Sequence, residues 1–490
     1  MDYDPIYKPK KFVDKKYEAL AQKYPHKHVP FFNRPDLTRR RFFEIAGGGL
    51  AGASLFGSYL AGKAEAAETL SSGALVQNTA QNCIFILLTG AISPWDSFDL
   101  KVINGATPSA FQPTTINGTS WAAGLYPKIG QQLGNMVLVR SMSSHALVHS
   151  LGQTWSQIGR NPAAALGNIA PNIGSVVAIE KDPLRQPGQV FPAFVALNSP
   201  SGAGEGYFPA TYAPFRINEP TNTNTTGVPD TTNANGQTNF NTMFTRLHQY
   251  DDPLRINSPY GQTVSDFDDF YTAAKGMMYN QSVQQAFNFT AADSMRYGPS
   301  SFGNSCLIAK QILAANQGTR FIQISFGSWD MHQDIYGQQN PKGNNMFTMG
   351  PQLDNGVGAL LADLQSSGLL DSTLVVMVGE FGRTPGGLTP AGGRDHYLLQ
   401  TVAFAGAGVK GGKVIGATSA DGSSITEFGW NGSGTSGPRN VWPEDVEATI
   451  YSAMGIDWMK VRGDDPFHRG FEYVPFASQG TYGPINELWS

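Results

Sequence analysis

The sequence predicts an α/β fold, a mainly parallel sheet with helices on both faces and a polar loop insertion. Three observations predict it. Short, almost wholly apolar runs recur along the chain, as strands buried on both faces require. Stretches with apolar residues at helical spacing lie between several of them, the pattern of strand–helix–strand units. Of 490 residues, 41% are hydrophobic and 15% charged, which is ample for a large packed core.

The strand candidates in chain order are Cys83–Leu88, Met136–Val139, Ala193–Leu197, Phe321–Phe326, Leu374–Val378 and Thr401–Ala405. Cys306–Ala315 reads as a helix that Gly318 would cap. Pro351–Leu364 spaces Leu353, Val357, Leu360, Leu361 and Leu364 along one helical face, with Gly368 soon after, and Pro443–Met454 is a third helix. Residues 200–240 break the pattern. They are rich in Asn, Thr, Gly and Pro, with few large apolar side chains after Ile217, and read as a surface insertion. The two cysteines, Cys83 and Cys306, each sit in an apolar stretch, which favours buried thiols over a disulfide.

Residues 1–66 stand apart from the α/β body at 67–490. Thr38-Arg39-Arg40-Arg41-Phe42-Phe43-Glu44 has the form of a twin-arginine signal. A weakly apolar run, Ile45 to Gly62, and a small-x-small site at Ala64-Glu65-Ala66 follow in the order that export requires. The expected partner is the twin-arginine translocase, and the expected destination is the periplasm or the exterior. Contact with a membrane would come only through this segment, if it is not cleaved. Residues 1–66 hold 12 Lys/Arg against 7 Asp/Glu although the whole chain carries a net charge of −4, so the body is acidic. A body of that sign does not bind nucleic acid by neutralising phosphates. An anionic small-molecule substrate would need a local cation, either a metal or an arginine.

In α/β sheets functional groups gather beyond the carboxyl ends of strands. Beyond the first strand lie Asp96 and Asp99. Beyond the second come Ser144, His145, His149 and Ser150, the two histidines spaced to share one face of a helix starting there. Asp330 and His332 follow the fourth, and Glu380, Arg383, Arg394 and His396 the fifth. Imidazole and carboxylate together suit Zn²⁺, Mn²⁺ or Fe, ions that lower the pKa of bound water. Each pairing also has a plain structural alternative: an incidental His-x₃-His, a capped turn at Asp330 and His332, an ion pair between Glu380 and Arg383.

Cys306-Leu-Ile-Ala-Lys, Gly318-Thr-Arg-Phe-Ile-Gln-Ile, Trp329-Asp-Met-His332, the run Leu361–Pro385 ending in Gly-Glu380-Phe-Gly-Arg383-Thr-Pro, Gly393-Arg-Asp-His396 and Gly408–Thr418 resemble the bacterial family called domain of unknown function 1501. The resemblance spans roughly Asn82 to Asp457. It implies a fold similar to the alkaline phosphatase superfamily, with its sulfatases and phosphomutases. It also implies a divalent metal ion (Zn, Mn, Mg or Ca) held by Asp330, His332, Glu380 and His396, with Asp96 or Asp99 standing for the acidic group after the first strand. Arg383 and Arg394 would neutralise an anionic group. Counting back from Gly159-Arg-Asn-Pro162 places the superfamily's nucleophile position at His149, where no hydroxyl stands; Ser144 and Ser150 are the nearest, and His149 would then be a ligand or base instead. The first loop departs too, reading Thr89-Gly-Ala-Ile-Ser-Pro-Trp-Asp96 where the family usually opens Gly-Gly-Pro-Ser. Two functions follow from the resemblance. One is a metal-dependent hydrolase of phosphate or sulfate esters, with Ser144 and His149 at the attacking position. The other is a non-catalytic exported protein that keeps the fold for binding or structure.

Overall fold

Alternation along a strand sends successive side chains to opposite faces of a sheet, and the first strand shows the result. Asn82–Leu87 (β1) is buried throughout; Ile84 and Ile86 enter one core while Cys83, Phe85 and Leu87 enter the other. The computed structural model describes residues 74–218, 234–255, 272, 275–277, 280–433 and 437–490. The signal at 38–44, the apolar run at 45–62 and the site at 64–66 lie outside them. No helix among the described residues is long and apolar enough to cross a membrane.

Each expected strand forms. After β1 come Met136–Ser143 (β2), Phe194–Leu197 (β3), Phe215–Ile217 (β4), Phe321–Ser325 (β5), Thr373–Val378 (β6), Leu399–Ala405 (β7) and Lys413–Ile415 (β8). They make an eight-stranded sheet in the order β8-β2-β7-β6-β1-β5-β3-β4. All pairings are parallel except those of β7, which runs antiparallel to both β2 and β6. Ser301–Ala315 and Met346–Ser366 pack on one face, Ile173–Lys181 and Pro443–Ala453 on the other. The sheet is thus mainly parallel with helices on both sides.

Local differences from the sequence reading have local causes. Asn316, not Gly318, ends the helix Ser301–Ala315, since it takes the left-handed conformation itself at φ 46°. Within residues 200–240, Phe215–Ile217 adds an edge strand beside β3, and a helix Ala234–Arg255 begins; residues 219–233 lie outside the described part. Cys83 and Cys306 are buried and free, on opposite sides of the sheet.

Candidate metal centre

Strands β6, β1 and β5 are neighbours and parallel, so the loops leaving their carboxyl ends emerge side by side. Because β7 is antiparallel, the chain entering it passes the same edge and carries His396 there. The loop after β2 arrives on its other side. Backbone pairing then knits the loops together. Ile335 N donates to Gly392 O (2.9 Å), Arg394 N to Met331 O (3.0 Å) and Trp329 N to Thr89 O (3.3 Å). His396 pairs with Arg383 in a short antiparallel ladder. Gly393 allows a close approach, because a Cβ there would stand 2.0 Å from the carbonyl carbon of His332. The helix His149–Ile158 (α1) begins at its first ligand candidate.

Four side chains converge at this edge. His149, Asp330, His332 and His396 each offer one atom, all within 4.8 Å of one another. Oδ1 of Asp330 lies 3.2 Å from Nε2 of His149, 3.0 Å from Nε2 of His332 and 3.7 Å from Nε2 of His396. Every Nδ1 is engaged on the far side of its ring: His149 with Glu380 Oε1 (2.8 Å), His332 with Asp395 Oδ1 (2.7 Å), His396 with the Leu147 carbonyl (2.7 Å). A carbonyl or carboxylate only accepts, so each Nδ1 carries a hydrogen, and in the neutral form of each ring Nε2 is left to present a lone pair inward. Nε2 of His332 and Nε2 of His396 then face each other at 3.1 Å. With both rings neutral the two lone pairs repel, and a proton or a metal ion between them relieves it.

The electrostatics of Asp330 and His396 agree with a cation site. Partial burial would raise the Asp330 carboxyl, but the Arg383 guanidinium, donating to its Oδ1 at 2.6 Å, and the imidazoles hold it below the usual range. Burial chiefly, with Arg383 and the other imidazoles, lowers the pKa of His396 against the pull of the Leu147 carbonyl, which keeps that ring neutral. The hydrogen bond to Glu380 raises His149 against its own partial burial, so a metal ion binding there would displace a proton from that ring. His149 Nε2 is buried without a hydrogen-bond partner. An orphaned ring nitrogen, facing lone pairs and an ionised carboxylate fit a divalent ion.

The profile of the family described as "Protein of unknown function (DUF1501)" matches residues 80–464. The chain belongs to the DUF1501 family. A search of curated proteins finds no match to it. Solved structures similar to this DUF1501 chain include the PsFucS1 sulfatase from Pseudoalteromonas sp., at TM-score 0.36 and 12% identity, covering 77% of this chain and 68% of that one. The phosphonate monoester hydrolase SpPMH from Silicibacter pomeroyi has TM-score 0.36 and 11% identity over 84% of this chain and 76% of its own. A protein in the alkaline phosphatase superfamily from Vibrio parahaemolyticus has TM-score 0.34 and 10% identity, covering 78% and 68%. What the DUF1501 chain binds is therefore read from its own side chains.

The structure brings Asp330, His332 and His396 together, and it adds His149. Glu380 is not among the converging atoms. It stands behind His149, buried, where Oε1 accepts from His149, from Gly90 N (2.8 Å) and from Gln153 Nε2 (3.1 Å). Ser144 is also turned away from the cluster: its buried hydroxyl donates to the Glu380 carbonyl (2.7 Å) and accepts from Gln400. Arg394 is wholly buried and is used up by Asp96 (2.8 Å) and the carbonyls of Thr384 and Gly386, so it does not face a ligand. Asp96 accordingly anchors Arg394, and Asp99 pairs with Lys101 and Arg140; neither reaches the cluster. Arg383 touches Asp330, while its other donors serve the carbonyls of Gly90, Ala91 and Arg394. His145 is not on the helix of His149, which starts four residues later, and points instead to Glu444. Sequence reasoning gave no role to Asp395, Leu147 or Gly90. Asp395 sits beside His396 in the motif and was open to notice, whereas nothing in sequence marks a carbonyl as a hydrogen-bond acceptor.

Proposed function

We propose that this DUF1501 chain is an exported metal-dependent hydrolase of sulfate or phosphate esters, with one divalent ion held by His149, Asp330, His332 and His396. The observation that carries it is the meeting of three inward Nε2 atoms on one carboxylate oxygen, each ring fixed from behind through Nδ1. Of Zn, Mn, Mg and Ca, a set with three imidazole nitrogens suits Zn²⁺ best, because Mg²⁺ and Ca²⁺ prefer oxygen donors. When bound, such an ion supplies Lewis acidity toward an anionic ester and makes water a better nucleophile near neutral pH.

The chain's own residues supply the remainder. Glu380, Asp395 and the Leu147 carbonyl hold the three tautomers, and Arg383 fixes Asp330. The Asp330 and His332 side chains are 45% and 43% exposed, so a small ester can reach them. Among the described residues Arg383 is the only Lys or Arg in contact with the four, while Glu380 and Asp395 add negative charge close by. With a divalent ion the local charge is near neutral, which favours a singly charged ester, a sulfate monoester or phosphodiester, over a phosphate monoester dianion.

Elemental analysis of the purified protein tests the metal: about one ion per chain is expected, lost in both His332→Ala and His396→Ala. Metal-free, folded wild type would overturn it. With metal bound, an ester panel should show turnover of singly charged esters ahead of phosphate monoesters. A second reading, metal binding without catalysis, is favoured by one observation. Among the described residues no serine or threonine hydroxyl is hydrogen-bonded to the four side chains, so no nucleophile of the chain is in place. Metal without turnover of any ester would support that reading.

A further inference from the structure

The segment between β2 and α1 does two things at the cluster, and its two exposed apolar side chains explain neither. Leu147 lends its carbonyl to His396 Nδ1, and Val148 leads directly into His149. Yet Leu147 and Val148 are 40% and 60% exposed. Apolar side chains left in water do not hold a loop in place. At its other end Ser144 and Ala146 are buried and the His145 side chain is 22% exposed.

At that end stands His145. Its ring lies between two indoles, Trp442 at 4.2 Å with an interplanar angle of 11° and Trp155 at 4.6 Å with 25°. Its Nε2 meets Glu444 Oε2 at 3.1 Å, and the other oxygen of the same carboxylate accepts from Trp155 Nε1 at 2.9 Å. Glu444 is buried in the first turn of the helix Pro443–Ala453, where the helix dipole favours a negative charge. Trp155 belongs to α1, the helix that begins with His149. One aromatic sandwich therefore ties together the loop, α1 and the helix beneath the sheet. Next to it, Ser144 N donates to the Leu398 carbonyl, two residues beyond His396.

We infer that His145 is a positioning residue for the metal centre: clamped between Trp155 and Trp442 and bonded to Glu444, it sets where the Leu147 carbonyl and the His149 ring stand. The inference rests on the proposed metal site and adds the device that assembles half of it. It also accounts for the His145–His149 pair seen in the sequence, in which one histidine binds and the other holds.

The test uses the full chain and cobalt(II) alone as probe. Cobalt affinity and the visible absorption of the cobalt-loaded protein are read in wild type, His145→Ala, His145→Phe and His145→Gln. His145→Ala should weaken cobalt binding by about 10- to 100-fold, the range found when groups behind a metal ligand are removed, and alter the absorption bands. His145→Phe restores a ring between the indoles and should recover most of the affinity and the wild-type bands. His145→Gln, which can still reach Glu444 but cannot stack, should recover less. A merely structural role would lower thermal stability in all three and leave cobalt affinity and spectrum unchanged below the melting range, and that result overturns the inference. Should His145→Ala not fold, the contrast between Phe and Gln decides the matter, and equal wild-type behaviour of both overturns the inference as well. Wild type that takes up no cobalt would instead overturn the metal site, and this inference with it.

Discussion

Gly90 shows how much one residue governs here. Its φ of 94° lies in the left-handed region that glycine tolerates and other residues avoid. A Cβ would also stand 2.7 Å from the backbone nitrogens of both Trp329 and Asp330. The same residue donates its N–H to Glu380 and accepts from Arg383, so it touches the supports of both His149 and Asp330. Gly90→Ala should therefore cost more than about 1 kcal/mol of stability and weaken metal binding at least tenfold. Chemical unfolding and a metal titration of the variant check the two effects, and wild-type affinity in a strained but folded variant would show that the Gly90 contacts do not set the cluster.

At the scale of elements, the turn after β1 and the strand-like segment before β7 are joined by one buried ion pair. Asp96 and Arg394 are 1% and 0% exposed, and Asp96 also accepts from Tyr336 (2.7 Å) and Ser93 (2.5 Å). A pair so enclosed contributes little net stability, but removing one partner leaves an uncompensated charge in the interior. Asp96→Ala is expected to destabilise the protein by about 3–5 kcal/mol. It should also loosen the segment carrying Asp395 and His396, so that metal affinity falls with stability. Urea denaturation at fixed pH, with and without added metal, measures both. Helix α1 works on the same principle of shared partners: His149 and Gln153, one turn apart, meet the same Glu380 oxygen.

For the molecule as a whole, the core beneath the sheet contains a carboxyl that should make stability depend on pH. Burial pushes Glu447 up to about 8, against the opposing charge of Arg160 and the Tyr451 hydroxyl that donates to it at 2.8 Å. A carboxyl whose folded pKa is raised binds its proton more tightly in the native state. Its contribution is complete below the unfolded value, 4.5, and is lost as pH rises toward about 8. Glu447→Gln removes this titration. The stability of the variant relative to wild type should therefore climb between about pH 5 and 8 and be flat outside that window. Unfolding free energies measured across the range check the sign, and a constant difference would show that Glu447 is ionised at neutral pH in the folded protein.

Burial and period are local properties, which is why the strands, three helices and the sheet class could be read from apolar runs such as Cys83–Leu88 and Leu374–Val378. The positions of Asp330, His332 and His396 just past strand ends were legible for the same reason, since chain order places them at one edge of a parallel sheet. Direction was not local. Leu399–Ala405 has the composition of a parallel strand, and only its pairing with β2 and β6 turns it round and brings His396 to the cluster from the opposite side. Nor could sequence decide between Glu380 and His149. Both lie just past strands, and the choice falls to the side chain whose ring, tilted against Phe381 and backed by Glu380, points its other nitrogen at Asp330. The sequence by itself determined which segments are buried and in what order they return to one edge. Only the tertiary structure decided which atoms meet there, because contacts across hundreds of residues depend on register and loop pairing that no local pattern encodes.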